Sequence, residues 1–295
     1  MIIAGLVITY NPDKNAFSEV VENLISQLDM LVIVDNGSDN SDYIKSFSSN
    51  KKINVIPLLE NFGIAKATNI GLEEIYKQNY NFCLISDQDT IYPVDYIENF
   101  KTYRINNNDS DIAAFSPIFF DVNSNEYKPL YILKNNKILK VKHNGLPQTV
   151  FQAIASGLIV DMNKYNLIGG MNENLFIDYV DFEWCWKVNY LGYKILCLPQ
   201  LQIKHCLGEG VVSVGNKKIS EHSSLRYYYI TRNTFYLSLH TTYLSKIVKI
   251  QLFLKACLFP MGYAILCKPH LKNFIFTHKG MIDGIIGKLG KYSIR

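Results

Sequence analysis

The feature that most restricts how this chain folds is an alternation repeated through its first third. Ile2–Thr9 is a β-branched apolar run stopped by Tyr10-Asn11-Pro12. Leu31–Val34 ends in Asp35-Asn36-Gly37-Ser38, Asn54–Leu58 ends near Glu60-Asn61-Phe62-Gly63, and Phe82–Ile85 ends in Ser86-Asp87-Gln88-Asp89. Short apolar runs bounded by polar or glycine-bearing turns read as buried strands. The stretches between them carry helical spacing: Phe17, Val20, Val21, Leu24, Ile25 and Leu28, then 42–47, then 64–76. Strand alternating with helix predicts an α/β fold with a mostly parallel sheet flanked by helices, its loops gathered at one edge. Open sheets of this kind bind ligands at that edge.

The edge collects Thr9, Tyr10, Asn11, Asp35, Asn61, Gly63 and Asp87, a set suited to a nucleotide. Neither GxxxxGK[ST] nor GxGxxG occurs, so a phosphate must be held by metal and scattered polar groups. Asp87 and Asp89 flank Gln88, and paired oxygen donors suit a hard divalent ion, which in turn suits phosphates. The same triplet also reads as an Asx-capped surface turn.

Residues 101–150 are Asn-rich and read as loops with short strands at Ala113–Phe119 and Tyr131–Leu133; Ala155–Val160 reads as another buried strand. Past Asp181, apolar residues at 184, 185, 188 and 191 give helical spacing, which places Asp181 at or near a helix N-terminus and Glu183 in its first turn. Capping and the helix dipole account for both acids without any chemistry. His205 follows an apolar segment, the usual setting of a structural histidine. The six cysteines form no CxxC pair, and Cys83 and Cys185 lie in apolar runs, which points to free thiols in a reducing compartment. The N-terminal run has no positively charged flank and reads as a strand rather than a signal peptide.

Charge is unevenly spread. From Val211 onward 13 Lys and Arg face 2 acids, against a whole-chain net of +4, so residues 1–210 are acidic. A basic segment rich in Tyr, Phe and Leu implies an anionic partner; the acidic remainder speaks against nucleic acid. Gly208–Asn216 is glycine-punctuated and reads as a mobile loop. His222, Arg226 and Arg232 are candidates for holding a diphosphate, solvated helix-face charges being the plainer reading. Ile247–Cys267 is interrupted by Lys249, Gln251, Lys255 and Pro260-Met261-Gly262. It fits an interfacial helix flanked by Lys268, Lys272 and Lys279, or a helical subdomain on the core, better than a bilayer span.

Taken in order, Val7–Pro12, Val34–Ser38, Asn61–Ala65, Asn69-Ile70-Gly71, Asp87-Gln88-Asp89 and Phe176–Trp186 resemble the family-2 inverting glycosyltransferases of GT-A fold. Phe176–Asp181 with Glu183-Trp184-Cys185, and Glu221–Tyr228 with Thr231-Arg232-Asn233, are similar to bacterial rhamnosyltransferases that use dTDP-L-rhamnose. The resemblance implies a catalytic domain over 1–210, with a nucleotide-sugar half (1–100) and an acceptor half (101–210), followed by a basic, mainly helical segment over 211–295. It implies that Thr9, Tyr10 and Asp35 contact the nucleoside, Asp35 at a pyrimidine imide N–H. Asn11, Asn61, Gly63, Asn69, Asp87 and Gln88 belong to the same nucleotide-sugar site. Asp89 and His205 would hold Mg²⁺ or Mn²⁺, Asp181 would be the base, and Asp178, Glu183 and Trp184 would stand on the acceptor side. Val180 and Lys187 depart from the acid and the Arg that many relatives carry. The implied reaction moves L-rhamnose onto a polyprenyl-diphosphate-linked saccharide, at the cytoplasmic face of the inner membrane, in O-antigen or surface-polysaccharide assembly. Galactofuranose, glucose or N-acetylglucosamine transfer, and nucleotidyl transfer, are the alternatives.

Overall fold

A computed structural model describes residues 1–121, 125–205, 210–214 and 217–293; at 205, 210–214, 217–220, 259–261, 263 and 264 it describes the backbone alone. Strands β1 (Ile3–Thr9), β2 (Met30–Asp35), β3 (Ile53–Pro57) and β4 (Phe82–Ser86) form the parallel half of a nine-stranded sheet. Helices α1 (Lys14–Ile25), α2 (Ser41–Ser46) and α3 (Ile64–Lys77) make the crossovers. Asp13 caps α1, its Oδ1 accepting the Asn15 and Ala16 N–H groups at 3.0 Å.

Strand parity divides the core. Ala4, Leu6 and Ile8 of β1 pack on one side with Ala65, Leu72 and Ile75 of α3; Ile3 and Val7 pack on the other with Phe17, Val21 and Leu24 of α1. A strand buried on both faces must be apolar at nearly every position, which is why β1 reads as a continuous run.

The second half comprises α4 (Tyr96–Asn106), β5 (Ile112–Asp121), β6 (Glu126–Tyr127), β7 (Leu130–Lys134), β8 (Lys137–Val141), β9 (Gln148–Val150), β10 (Ile159–Asp161), α5 (Met162–Ile168), α6 (Val180–Tyr190) and β11 (Lys194–His205). The sheet order is β3-β2-β1-β4-β10-β5-β11-β9, with β6 on β5 and β7 paired separately with β8. β10 runs against both of its neighbours. Two expectations need correction. Residues 101–106 are not irregular but complete α4, whose buried residues Tyr96, Ile97 and Phe100 all fall in its first half, so periodicity fades where the helix continues. The strand expected at 155–160 starts only at Ile159. Before it the chain turns at Gly157 (φ 80), where a Cβ would lie 2.9 Å from Pro117 and 3.0 Å from the Tyr96 hydroxyl.

The expected loop at 208–216 includes a hairpin of β12 (Gly210–Val214) and β13 (Lys217–Glu221); residues 206–209, 215 and 216 lie outside the described ones. Three helices close the chain: α7 (Ser224–His240), α8 (Lys246–Leu266) and α9 (His270–Ile285). Among the described residues no helix is long and apolar enough to cross a membrane. α9 approaches α7 so closely that a Cβ on Gly280 would sit 2.5 Å from the Tyr228 carbonyl oxygen. Gly280→Leu is therefore expected to destabilise the fold by about 1–3 kcal/mol through overpacking, despite leucine's better helix propensity. A lowered urea midpoint at unchanged m-value checks it.

Candidate functional site

The parallel register sets Thr9 opposite Asp35 and Val7 opposite Ser86, so the carboxyl ends of β1, β2 and β4 lie side by side. Gln88 ties them together: its Oε1 accepts the Thr9 hydroxyl and the Tyr10 N–H, each at 2.9 Å. Asn11, at φ 48, accepts the Asp39 N–H at 2.7 Å and anchors the neighbouring turn. Asn61 Oδ1 takes the Gly63 N–H at 2.9 Å and Asn36 Nδ2 at 3.2 Å, shaping the entry to α3. Asp35 is fully buried; Oδ1 accepts the Ser38 N–H at 2.9 Å, while Oδ2 finds no partner among the described residues. A buried, unsatisfied carboxylate oxygen is unfavourable by itself, and a ligand N–H arriving at this edge would satisfy it.

A cavity of about 510 Å³ opens beside Asp87 and brings Asp178, Asp181, Arg226 and Lys255 to one space with mainly apolar walls. Asp181 sits in the first turn of α6, as its spacing predicts. Its Oδ1 accepts the Phe182 N–H at 2.8 Å and its Oδ2 the Ala155 N–H at 3.3 Å, while part of the side chain opens to the cavity. Burial pushes this carboxyl up from 3.8 to about 7; the two N–H groups oppose the shift, and the charges of Asp178 and Asp87 add to it. Burial also raises Asp178, against the Arg226 guanidinium whose Nε donates to its Oδ1 at 3.2 Å.

The loop leading into α6 holds three non-glycine residues in the left-handed region, Phe176 (φ 66), Asp178 (φ 64) and Tyr179 (φ 63). Such backbone persists only where its surroundings over-determine it, and it gathers at functional sites. Here α7 does so. Asn233 Nδ2 donates to the carbonyls of Leu175 (3.1 Å), Ile177 (2.8 Å) and Asp178 (2.9 Å). Arg232 adds Nη2 to Leu175 O at 2.8 Å, Nη1 to Gly290 O at 2.5 Å and Nε to Asn233 Oδ1 at 2.9 Å.

Several expected site residues therefore serve elsewhere. Arg232 is fully buried and braces the loop, so its guanidinium is turned away from any diphosphate. Asn69 is buried and clamps Met171, accepting its N–H at 2.8 Å and donating to its carbonyl at 2.9 Å. Trp184 is a core side chain donating to Gly169 O at 3.0 Å. Glu183 accepts the Tyr243 hydroxyl in a separate pocket with Lys187 and Tyr190. His222 lies outside the cavity, held down at about 4 by burial and by Arg226. Two contributors escaped the sequence reading: Lys255, visible there only as an interruption of an apolar run, and Asn233, which carried no assigned role.

Asp87 lines the cavity, whereas Asp89 is exposed on a neighbouring groove of about 740 Å³ with Tyr92, Tyr127, Gln202 and Lys204. Among the described residues no three His, Cys, Asp or Glu cluster as a closed metal site; the His205 side chain lies outside them. Two carboxylates at a strand end nevertheless fit Mg²⁺ or Mn²⁺, because such ions take one or two protein carboxylates and complete their shell with phosphate oxygens and water.

Residues 6–161 match the model of glycosyl transferase family 2. The chain is 32% identical over 238 residues to the dTDP-rhamnosyl transferase RfbF of Shigella flexneri, covering 80% of this chain and 79% of that one. Its backbone is similar to S. aureus TarS 1–349 in complex with UDP-GlcNAc (TM-score 0.59, 17% identity, 97% of this chain and 82% of that one). It is also similar to GalNAc-T7 with UDP, GalNAc and Mn²⁺ (TM-score 0.56, 13% identity, 87% of this chain). The chain spans about half the length, 54%, of that last structure. These two likenesses show the GT-A fold expected from the motifs.

Because burial raises Asp181, the folded protein carries an ionisation penalty that is absent below the ordinary carboxyl pKa of 3.8, grows through about 7, and is constant above. Asp181→Asn removes it. The variant is expected to equal the parent at pH 3.5 and to be more stable by about 2–4 kcal/mol at pH 8, read from denaturant melts across pH.

Proposed function

The chain belongs to glycosyl transferase family 2, and from that membership we propose that it moves L-rhamnose from dTDP-L-rhamnose onto a hydroxyl of a polyprenyl-diphosphate-linked saccharide. The setting would be O-antigen or surface-polysaccharide assembly, with the protein peripheral on the cytoplasmic face of the inner membrane. The donor follows from the likeness to a chain named a dTDP-rhamnosyl transferase. The orphaned Asp35 Oδ2 supports a pyrimidine nucleotide, since thymine, like uracil, presents an imide N–H of the kind that oxygen lacks.

The observation that carries the mechanism is Asp181: a carboxylate at about 7, open to a cavity it shares with Asp87 at the sheet edge. A general base works best when its pKa lies near the operating pH. Its two N–H partners fix the carboxylate while leaving lone pairs on both oxygens. The acceptor hydroxyl gives its proton to Asp181 as its oxygen bonds to the sugar C1; the bond from C1 to the diphosphate breaks on the opposite side and dTDP leaves. One displacement inverts the anomeric centre and needs no covalent enzyme intermediate. Asp89, with Asp87 beside it, would hold a divalent ion, which when bound neutralises charge on the departing diphosphate. Thr9, Tyr10 and Gln88 shape the nucleoside end; Arg226 and Lys255 bring positive charge to the acceptor cavity. In this assignment residues 1–100 bind the donor and 101–210 the acceptor, and 211–295 contribute one wall of the cavity as well as the approach to the membrane.

The deciding test is a donor screen with Mg²⁺ or Mn²⁺, scoring nucleotide release: dTDP-L-rhamnose is expected to outrun UDP-sugars, and equal or better turnover of a UDP-sugar refutes the donor. Asp181→Asn is expected to lower transfer by about 10²–10⁴-fold while sparing donor binding. The parent's kcat/KM should fall about tenfold per pH unit below the pKa of about 7. Asp89→Ala should weaken metal-dependent donor binding, read by titrating the donor with and without Mn²⁺.

A further inference from the structure

α9 is built inside out. The face it buries against α7 consists of Asn273, Thr277, Gly280, Asp283 and Gly284. Asn273 accepts the Ser224 hydroxyl at 2.6 Å, and Asp283 accepts the Tyr228 hydroxyl at 2.9 Å and Lys279 at 2.7 Å. The face it exposes carries Leu271, Phe274, Ile275, Ile282, Ile285 and Ile286, at spacings of one side of a helix. His278, stacked on Phe274, interrupts this stripe. A helix in water normally has the opposite arrangement; small and polar contacts inside with apolar residues outside is how helices pack in lipid.

α8 adds a second stripe. Val248, Leu252 and Ala256 are buried, while Ile247, Ile250, Leu254, Leu258 and Ile265 are exposed on another side of the helix. Each stripe runs along one side of its helix, and apolar side chains exposed in a row rather than singly mark an interaction site. Its surroundings are cationic: from residue 224 onward eleven Lys and Arg face a single acid, Asp283, which is buried and already paired with Lys279. Exposed Lys246, Lys268, Lys272 and Lys288 stand at the helix ends. Apolar stripes ending in lysines match an anionic lipid surface, with acyl chains against the stripes and headgroups against the ammonium groups.

We propose that the exposed stripes of α8 and α9 form one docking face that enters a single leaflet of an anionic bilayer without crossing it. The same α8 carries Lys255 and Ala256 in the wall of the cavity that holds Asp181. Docking through this helix brings that cavity to the membrane surface; the value of this to a lipid-linked acceptor rests on the function proposed above, whereas the docking itself does not.

The experiment is sedimentation of the full chain with vesicles of phosphatidylglycerol and phosphatidylethanolamine, and with phosphatidylcholine alone. The parent is expected to partition onto the anionic vesicles, and Ile275→Asp with Ile282→Asp to lower the partition coefficient by about tenfold or more. Ile105→Asp, an exposed apolar residue at the end of α4, should leave it unchanged. Thermal melting and dTDP binding equal to the parent establish that the double variant is folded. As a second readout, Leu258→Trp should gain, over the parent with its buried Trp184 and Trp186, emission that brominated phosphatidylglycerol quenches. The proposal is overturned by a parent chain that stays in the supernatant, by a double variant that still binds, or by a dimer in solution that the double variant dissolves while vesicle binding persists. A chain that binds vesicles but transfers no sugar keeps this inference and removes the preceding one.

Discussion

Three backbone carbonyls decide how this site is assembled. The loop from Leu175 to Tyr179 turns through left-handed conformations, which carry the Leu175, Ile177 and Asp178 carbonyls out of any helix or sheet ladder, while those of Phe176 and Tyr179 accept the Ile64 and Glu183 N–H groups. Buried carbonyls need donors, and one amide, Asn233, lies within reach of those of Leu175, Ile177 and Asp178, with Arg232 adding a further bond to Leu175. A buried guanidinium is tolerable here because carbonyl and amide oxygens receive its N–H groups and the Tyr228 and Tyr229 rings lie against it at 5.5 and 4.9 Å. The start of α6, and Asp181 with it, thus depends on a helix more than fifty residues later in the chain. The basic C-terminal segment is part of the site's framework as well as an appendage to the sheet.

At Asp181 two effects oppose each other. The first-turn position and two N–H donors favour the carboxylate, as they would at any capped helix. Burial favours the neutral acid, and Asp178 and Asp87 reinforce it. Burial wins, which separates this acid from an ordinary cap. Asp13, the solvent-exposed N-cap of α1, also accepts two N–H groups, but both come from its own helix; Asp181 stands inside the first turn of α6 and takes one of its two from Ala155, 26 residues away.

The two ends of the fold obey opposite packing rules. In the sheet, large apolar side chains interdigitate on both faces, and strand parity allots them to α1 or α3. Between α7 and α9 the contact is made by glycines, hydroxyls and a carboxylate, because absent side chains let the backbones approach closely enough for short polar groups to meet. Leucine and isoleucine are left facing outward. Hydropathy summed along the chain registers the same residues in either arrangement.

The alternation of apolar runs and helical spacing by itself determined the first half of the fold, since strands buried on both faces have little freedom in composition and end in turns of recognisable chemistry. The four runs that become β1 to β4, the placing of Thr9, Asp35 and Asp87 on one edge, and Asp181 at or near the N-terminus of its helix were legible for that reason. α4 and the late start of β10 were not, because an asymmetric helix and a glycine turn inside an apolar run leave no clean period. Tertiary structure alone decided which polar residues face the cavity. Arg226 and Arg232 lie six apart on one helix with like chemistry, yet one pairs with Asp178 in the cavity wall and the other is sealed beneath it. It also decided that Lys255 joins them and that α9 turns its polar side inward. The physical reason is common to both: a sequence states what each side chain is able to bond, and only the packing of distant elements determines which partners come within reach.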